Sequence, residues 1–163
     1  MASIEELEAR IESLETTVGI QRVLAEYSVV VDMGLWEEVG KLFTEDATLE
    51  ICGYGSLDGV DYDGVHKTRP AITAYYAGNN PGLVGPPKSK HNIIPGPIQD
   101  DGGGSAVFIA YLLDMPPRTP GNPGGGLYEA RMKRQADGSW KFAHLRIVAT
   151  ATTRVAEAIT GKV

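Results

Sequence analysis

One stretch constrains the fold more than any other part of the chain: residues 20–51, IQRVLAEYSVVVDMGLWEEVGKLFTEDATLEI. Its first half repeats apolar side chains at the i, i+3, i+4, i+7 spacing of one helical face: Ile20, Val23, Leu24, Tyr27 and Val31. Gly34 is expected to end this helix, a second helix is predicted over 35–43, and 47–52 alternates apolar and polar residues as a strand does. The chain is therefore predicted to form two helices before its sheet begins.

Two polar side chains in this stretch occupy unfavourable positions. Tyr27 places a hydroxyl on the apolar helical face. Asp32 lies in the last helical turn, where a carboxylate meets the negative end of the helix dipole. Both are candidates for function. For Tyr27 two interpretations stay open, a catalytic residue that donates to an oxyanion or protonates a leaving hydroxyl, or a core tyrosine whose hydroxyl finds a partner.

The amino-terminal residues 1–18 are predicted to form a helical arm on a single domain that spans 1–163. Ser3 and Glu6 have the spacing of a capping box, which marks a helix start. Apolar residues then alternate three and four apart: Ile4, Leu7, Ile11, Leu14 and Val18. This stripe fits either packing on the protein's own domain or contact between subunits. Gly19 is a candidate bend before the next helix.

Composition excludes several classes of partner. The net charge is −6 and the Lys and Arg residues are scattered, which argues against a nucleic acid partner. One cysteine cannot form an internal disulfide. No signal-peptide pattern and no apolar stretch of membrane-spanning length is present. We therefore expect a cytoplasmic protein that does not bind a membrane.

Turn signals and strand patterns alternate through the rest of the chain. Residues 53–63 look like a loop or strand extension, and a short helix is expected at Pro70. Strands are predicted over 90–99, 105–115, 126–135 and 139–150, the last two as a hairpin. Residues 105–115 are apolar on both faces, which predicts a central or doubly covered strand, and 116–125 predicts a long connection over the rim of a site. This order predicts an α+β fold, a curved, mostly antiparallel sheet with helices on one face.

Several segments together resemble the SnoaL-like family of the nuclear-transport-factor-two-like superfamily. They are residues 20–51, RPAITAYYAG, KHNIIPGPIQDDGGGSAVFIAYLLD and GLYEARMKRQADGSWKFAHLRI. The resemblance spans roughly residues 18–150 and implies a conical α+β barrel, a hydrophobic small-molecule substrate, no cofactor, and a homo-oligomer, either dimer or trimer. The family includes dehydratases, isomerases, epoxide hydrolases, cyclases, a dehydrochlorinase and binding modules, so function has to be argued from the site.

The resemblance also implies roles for individual residues. Scytalone dehydratase, bile-acid dehydratase and hexachlorocyclohexane dehydrochlorinase share a proton-abstracting dyad, an aspartate at the end of the long helix and a histidine at a strand start. Asp32 and His91 occupy the matching positions, and Tyr27 matches a pocket tyrosine of the dehydratases. Asp114 falls where the bile-acid enzyme has an acidic pocket residue, and Arg146 lies near a basic one, although offset from it.

Other candidate substrate-binding residues come from the sequence pattern. The aromatic candidates for a pocket are Tyr54, Tyr62, Tyr75, Tyr76 and Tyr111, and most of these are expected to be packing residues. Arg69 fits either an anionic or phenolic oxygen of a substrate or a solvated position. Counting by two along the last strand puts His144 and Arg146 on the face of Trp140 and Phe142. If that face points inward, His144 and Arg146 line a pocket, but Trp140 and Phe142 equally fit an ordinary core.

These residues predict base chemistry without a metal. An imidazole can accept a proton, and a carboxylate on its other nitrogen fixes the tautomer and stabilises the imidazolium. The three histidines lack the mutual spacing of a metal site. We expect a cofactor-independent lyase that eliminates water from a hydrophobic cyclic or aromatic molecule, or cleaves a carbon–carbon bond with loss of an aldehyde. The alternatives are an isomerase or epoxide hydrolase, or a non-catalytic binding module.

Overall fold

The computed structural model describes residues 2–57, 60–79, 90–115 and 125–149 of the chain. Three helices are described there: α1 (Ile4–Asp32), α2 (Trp36–Lys41) and α3 (Arg69–Asn79). The strands are β1 (Phe43–Cys52), β2 (Ser56–Leu57), β3 (Val60–Asp61), β4 (Gly64–Lys67), β5 (Lys90–Pro95), β6 (Gln99–Asp100), β7 (Ser105–Met115), β8 (Gly125–Arg134) and β9 (Trp140–Ala149). Residues 116–124 of the predicted rim connection lie outside the described residues.

Helix α1 is one continuous element of 29 residues. Its start is the predicted capping box, in which the Glu6 amide donates to Ser3 Oγ at 3.2 Å and the Ser3 amide donates to Glu6 Oε2 at 2.9 Å. The expected bend at Gly19 is wrong. A Cβ at Gly19 would stand 2.7 Å from Cδ1 of Trp140, so glycine permits close packing of the continuous helix on β9. In the described part of the chain, no helix is both long and apolar enough to cross a membrane.

The second helix is shorter than the sequence predicts, and the first strand is longer. Helix α2 ends at Lys41 and β1 already begins at Phe43, so residues 44–46 lie in a strand and do not end a helix. The cause is a pairing distant in sequence. The Phe142 amide donates to the Leu42 carbonyl at 2.8 Å, and Phe43 pairs with Phe142 between β1 and β9.

The sheet confirms the α+β fold. Its strand order is β4-β1-β9-β8-β7-β5, with β6 paired to β7, and a separate hairpin joins β2 to β3. Only the β1–β9 pairing is parallel among the described strands. Helix α1 contacts β5 and β9, whereas α3 contacts β1 and β4. The path has two ends at β4 and β5, so pairing between described strands does not close the expected conical barrel.

The residues of strand β7 alternate between a buried and an exposed face of the sheet. Ala106, Phe108, Ala110 and Leu112 are buried on the helix-covered face. On the other face Val107 is 40% exposed, Ile109 55%, Tyr111 65% and Leu113 47%. Strand β7 lies between β8 and β5, so the prediction of a central strand is confirmed, whereas the alternative of a doubly covered strand is not met within the described residues. Apolar residues on both faces distinguish a central strand from an edge strand, but they do not show what covers it.

A β-bulge in β9 reverses the predicted facing of two candidate site residues. Phe142 pairs with Met132 and His144 pairs with Arg131, so Ala143 is an extra residue in β9. Phe142 and Leu145 are consequently both buried, which period-two counting cannot give. His144 and Arg146 therefore lie on the outer face and do not share the face of Phe142.

Gly34 sets the end of α1, and replacing it by Ala is expected to destabilise the protein. Its φ is +69°, in the left-handed region, where a Cβ costs about 1–2 kcal/mol. Gly78 in α3 is the matched control, because a Cβ there would meet nothing within 4 Å and Ala is the better helix residue. Urea unfolding of Gly34→Ala and Gly78→Ala measures both. Equal stability of the two variants would contradict the assignment.

Candidate active site

The end of α1 meets the start of β5 at a carboxylate–imidazole pair. His91 Nδ1 lies 2.6 Å from Asp32 Oδ1, and the His91 backbone amide donates to both carboxylate oxygens at 3.1 Å. The side chains are 9% and 15% exposed, respectively. The structure therefore brings together Asp32 and His91, two predicted site residues that stand on different elements.

Asp32 occupies the position at the helix end that its charge disfavours, and His91 supplies the compensation. The last turn of α1 contains no basic residue. The three contacts from His91 are hydrogen bonds to a charged acceptor, which are stronger than neutral ones. They hold the carboxylate in one orientation.

The same hydrogen bonds assign the tautomer of His91. A carboxylate only accepts, so the neutral imidazole carries its proton on Nδ1. The other nitrogen, Nε2, then presents a lone pair, and no described residue hydrogen bonds to it. An imidazole in this state can accept a proton from a neighbouring molecule.

Apolar side chains follow His91 on the same face of the sheet. Along β5, His91, Ile93 and Pro95 are partly buried while the residues between them are exposed. Ile93 pairs with the buried Leu112 of β7. A molecule beside Nε2 on this face would meet hydrocarbon as well as the dyad.

Tyr27 belongs to a tyrosine cluster, defined here as the buried Tyr27, Tyr76 and Tyr128 with the partly buried Tyr54. Tyr27 is 1% exposed and its hydroxyl lies 2.6 Å from that of Tyr76. Burial raises the pKa of Tyr27, hydrogen bonds to Tyr76 and Tyr128 oppose this, and the charge of Asp32 adds to it. Burial also raises the pKa of Tyr76 and Tyr128 well above the usual value. Tyr27, Tyr76 and Tyr128 are therefore neutral at physiological pH, and the charge of Asp32 acts on Tyr27.

Tyr128 is the member of this cluster that the sequence analysis missed. It alternates with the buried Ala130 and Met132 along β8. That alternation was a usable signal, because an apolar face containing one tyrosine predicts a buried hydroxyl in need of a partner. Tyr54 packs against the core, and a Cβ at Gly126 would stand 3.2 Å from its hydroxyl.

Three other predicted site residues lie elsewhere. Arg69 Nε donates to the Phe43 carbonyl at 3.2 Å and its Nη1 lies 2.8 Å from Glu45, at the start of β1. Arg146 binds Glu129 at 2.8 Å on the outer face, and Tyr111 is exposed on that face. The structure therefore does not bring these three residues together, since Arg69 lies at the start of β1 whereas Arg146 and Tyr111 lie on the outer face of the sheet.

Asp114 stands opposite His91 in the β5–β7 pairing. Its side chain lies outside what the structure describes, so this register position is the only structural fact about it. In the sequence the two residues are far apart, and the antiparallel pairing brings their backbones side by side.

His66 is a histidine outside the set of site residues predicted from the sequence. Its ring packs against that of Tyr75, tilted by 31° with centroids 4.2 Å apart, and its buried Nε2 has no hydrogen-bond partner among the described residues. Burial lowers the pKa of His66, so it is neutral at physiological pH. No group of three His, Cys, Asp or Glu side chains in the described residues is arranged to hold a metal ion.

Comparisons with known proteins agree with this architecture. The sequence profile of the SnoaL-like domain matches residues 12–146. A search of curated proteins finds no significant match.

Solved structures share the fold at low sequence identity. An NTF2-like protein with a cystatin-like fold from Novosphingobium aromaticivorans has a TM-score of 0.70 at 20% identity, covering 98% of this chain and 97% of that one. A candidate scytalone dehydratase from the same organism has a TM-score of 0.67 at 21% identity, with 85% and 86% covered. LinA has a TM-score of 0.66 at 16% identity, with 86% and 89% covered. At these identities the likeness establishes the fold.

Proposed function

The chain belongs to the SnoaL-like domain family, and from that premise we propose that it is a cofactor-independent lyase. Its substrate is a hydrophobic cyclic or aromatic molecule from which a proton on carbon and a leaving group are removed. The observation behind this proposal is the 2.6 Å pairing of His91 Nδ1 with Asp32, which leaves Nε2 as a base. Structural relatives include a candidate scytalone dehydratase and LinA.

The proposed step balances with these two residues alone. Nε2 of His91 takes a proton from the carbon next to the substrate's carbonyl, and the electron pair of that C–H bond forms a carbon–carbon double bond. The C–O bond to the β-hydroxyl breaks, and the imidazolium returns its proton to the departing oxygen, so that water leaves. Asp32 stabilises the imidazolium between these events. No oxidant or reductant is needed.

The other predicted site residues enter as supporting groups. Tyr27 lies five residues before Asp32 on α1, and its burial and its hydrogen bond to Tyr76 support a positioning role in the core. Asp114 is opposite His91 in register and is proposed as a second acidic group of the pocket.

The proposal is tested with a panel of hydrophobic ring ketones bearing a β-hydroxyl, incubated with the wild type and Asp32→Asn. The amide of Asn can donate to Nδ1 and stabilise the tautomer with its proton on Nε2, which removes the base. We expect the wild type to release water from at least one compound, detected by mass spectrometry, and Asp32→Asn to lose about 10⁴-fold in rate.

Glu50→Gln is the matched control, because Glu50 pairs with a histidine on the outer face, His144 Nε2, at 3.1 Å. It is expected to keep wild-type turnover. Compounds that bind but are recovered unaltered would favour the binding module instead. Turnover by Asp32→Asn at the wild-type rate would contradict the mechanism, and would fit an enzyme that uses another base.

A further inference from the structure

The first half of α1 carries an apolar stripe that the rest of the described chain leaves largely exposed. Residues 2–15 are all exposed, although the helix is regular from its capping box onward. The stripe consists of Ile4 (71% exposed), Leu7 (48%), Ile11 (54%), Leu14 (64%) and Val18 (43%). A contiguous row of large apolar side chains on a projecting helix marks an interaction surface.

The spacing of this stripe is that of a coiled-coil seam. Intervals of three, four, three and four residues put Ile4, Ile11 and Val18 at a positions and Leu7 and Leu14 at d positions of two heptads. Branched residues at a with leucine at d favour two strands. The chemistry of the surface therefore matches a second helix of the same pattern, and a second copy of this chain supplies one.

The rest of the domain fixes the position of the arm. Thr16 Oγ1 donates to Asp100 at 2.8 Å, and Ile20 is fully buried, so α1 is anchored from its middle onward. The arm continues that helix for about 20 Å at 1.5 Å per residue. Because the helix is already formed, association does not bear the cost of nucleating it, and two heptads suffice where an isolated peptide would need more.

We propose that the arms of two copies pair as a parallel, two-stranded coiled coil, which makes the protein a homodimer. Charge selects the direction. With a and d assigned as above, Arg10 is at g and Glu15 at e, so in a parallel pair each Arg10 meets Glu15 of the partner subunit. An antiparallel pair centred on Ile11 would instead place Glu8 beside the partner's Glu15 and the two Arg10 side chains together.

The body leaves room for a parallel partner. Beyond Val18 the outward positions Gln21 and Ala25 are exposed, while the domain packs on the opposite side of α1. On one side the seam borders a groove of about 480 Å³, which is lined by Ile11, Leu14, Glu15, Val18, Gly19 and Arg22 of α1 and by Arg134, Gly138 and Trp140 of the β8–β9 hairpin. Glu15 lines this groove, and in the parallel pair the partner's Arg10 would contact Glu15 there.

Molar mass in solution tests the interface. Sedimentation equilibrium of the full chain should give twice the 17.4 kDa chain mass for the wild type. Leu7→Glu with Ile11→Glu places four charges in the seam and should halve that mass. The matched control is Ala9→Glu with Ser13→Glu, which adds the same charge at exposed positions off the seam and should remain dimeric. A wild type that is monomeric, or a seam variant that keeps the wild-type mass, overturns the proposal.

A cysteine cross-link tests the direction. Cys52 is the single cysteine, so Leu7→Cys in a Cys52→Ser background has one thiol per chain. In a parallel pair the two Leu7 positions face each other, and mild oxidation should give a covalent dimer on a non-reducing gel. In the antiparallel arrangement Leu7 would lie near the partner's Glu15. A dimer that fails to cross-link at this position overturns the parallel arrangement.

Discussion

Replacing His91 by Ala is expected to lower kcat/KM for the proposed elimination by about 10²–10⁴-fold, the usual contribution of a positioned general base. The imidazole is the group whose Nε2 takes the proton, and Ala leaves no replacement. The loss should appear in kcat, because the base acts on the transition state and binding of the ring system depends on the apolar face. Steady-state kinetics on a substrate found with the panel measures it.

His144→Ala provides the matched control for this prediction. His144 also pairs with a carboxylate, Glu50, but it lies on the outer face of the sheet and is 37% exposed in its side chain. Its loss is expected to leave kcat/KM within about twofold of the wild type, since exposed ion pairs contribute little even to stability. Equal losses in the two variants, or full activity in His91→Ala, would remove His91 from the mechanism.

Replacing Tyr27 by Ala is expected to lower the free energy of unfolding by about 3–5 kcal/mol. The ring packs edge-on against Tyr76, Tyr128 and Phe142, with centroids 6.4, 6.0 and 5.6 Å apart. Truncation leaves a cavity in the middle of the core, and the loss is a large part of the 5–15 kcal/mol that typically separates folded from unfolded chains. The midpoint of urea unfolding measures this change.

Two variants distinguish the contribution of the Tyr27 ring from that of its hydroxyl and from the effect of removing any tyrosine. Tyr27→Phe keeps the packing and removes one hydrogen-bond partner of Tyr76. It is expected to lower the free energy of unfolding by about 1–3 kcal/mol. Tyr111→Ala removes a tyrosine that is 65% exposed and should change stability by only about 0.5 kcal/mol. If Tyr27→Phe is stable yet loses activity as His91→Ala does, the hydroxyl has a direct chemical role.

Features that depend only on residues close together in the sequence could be predicted from the sequence. The capping box, the end of α1 at Asp32 and the β8–β9 hairpin follow from local spacing, glycine and turn residues. The α+β class follows from their order. The position of Asp32 at a helix end was likewise visible as an electrostatic conflict, which marked it before any partner was known.

The partners of these residues were decided by pairings between distant parts of the chain. The extra residue Ala143 turned His144 and Arg146 outward, and pairing with β9 lengthened β1 at the expense of α2. Strand facing and register depend on which strands lie side by side, and a one-residue bulge inverts them without a local signature.

The chain by itself determined that Asp32 needed compensation, because a carboxylate at a helix carboxyl end is unfavourable in any fold. Only the tertiary structure decided that His91 supplies it through its amide and ring. It also decided that Tyr27 hydrogen bonds to Tyr76 and Tyr128 in the core, because hydrogen bonds between distant side chains form only after non-local packing has fixed their distances.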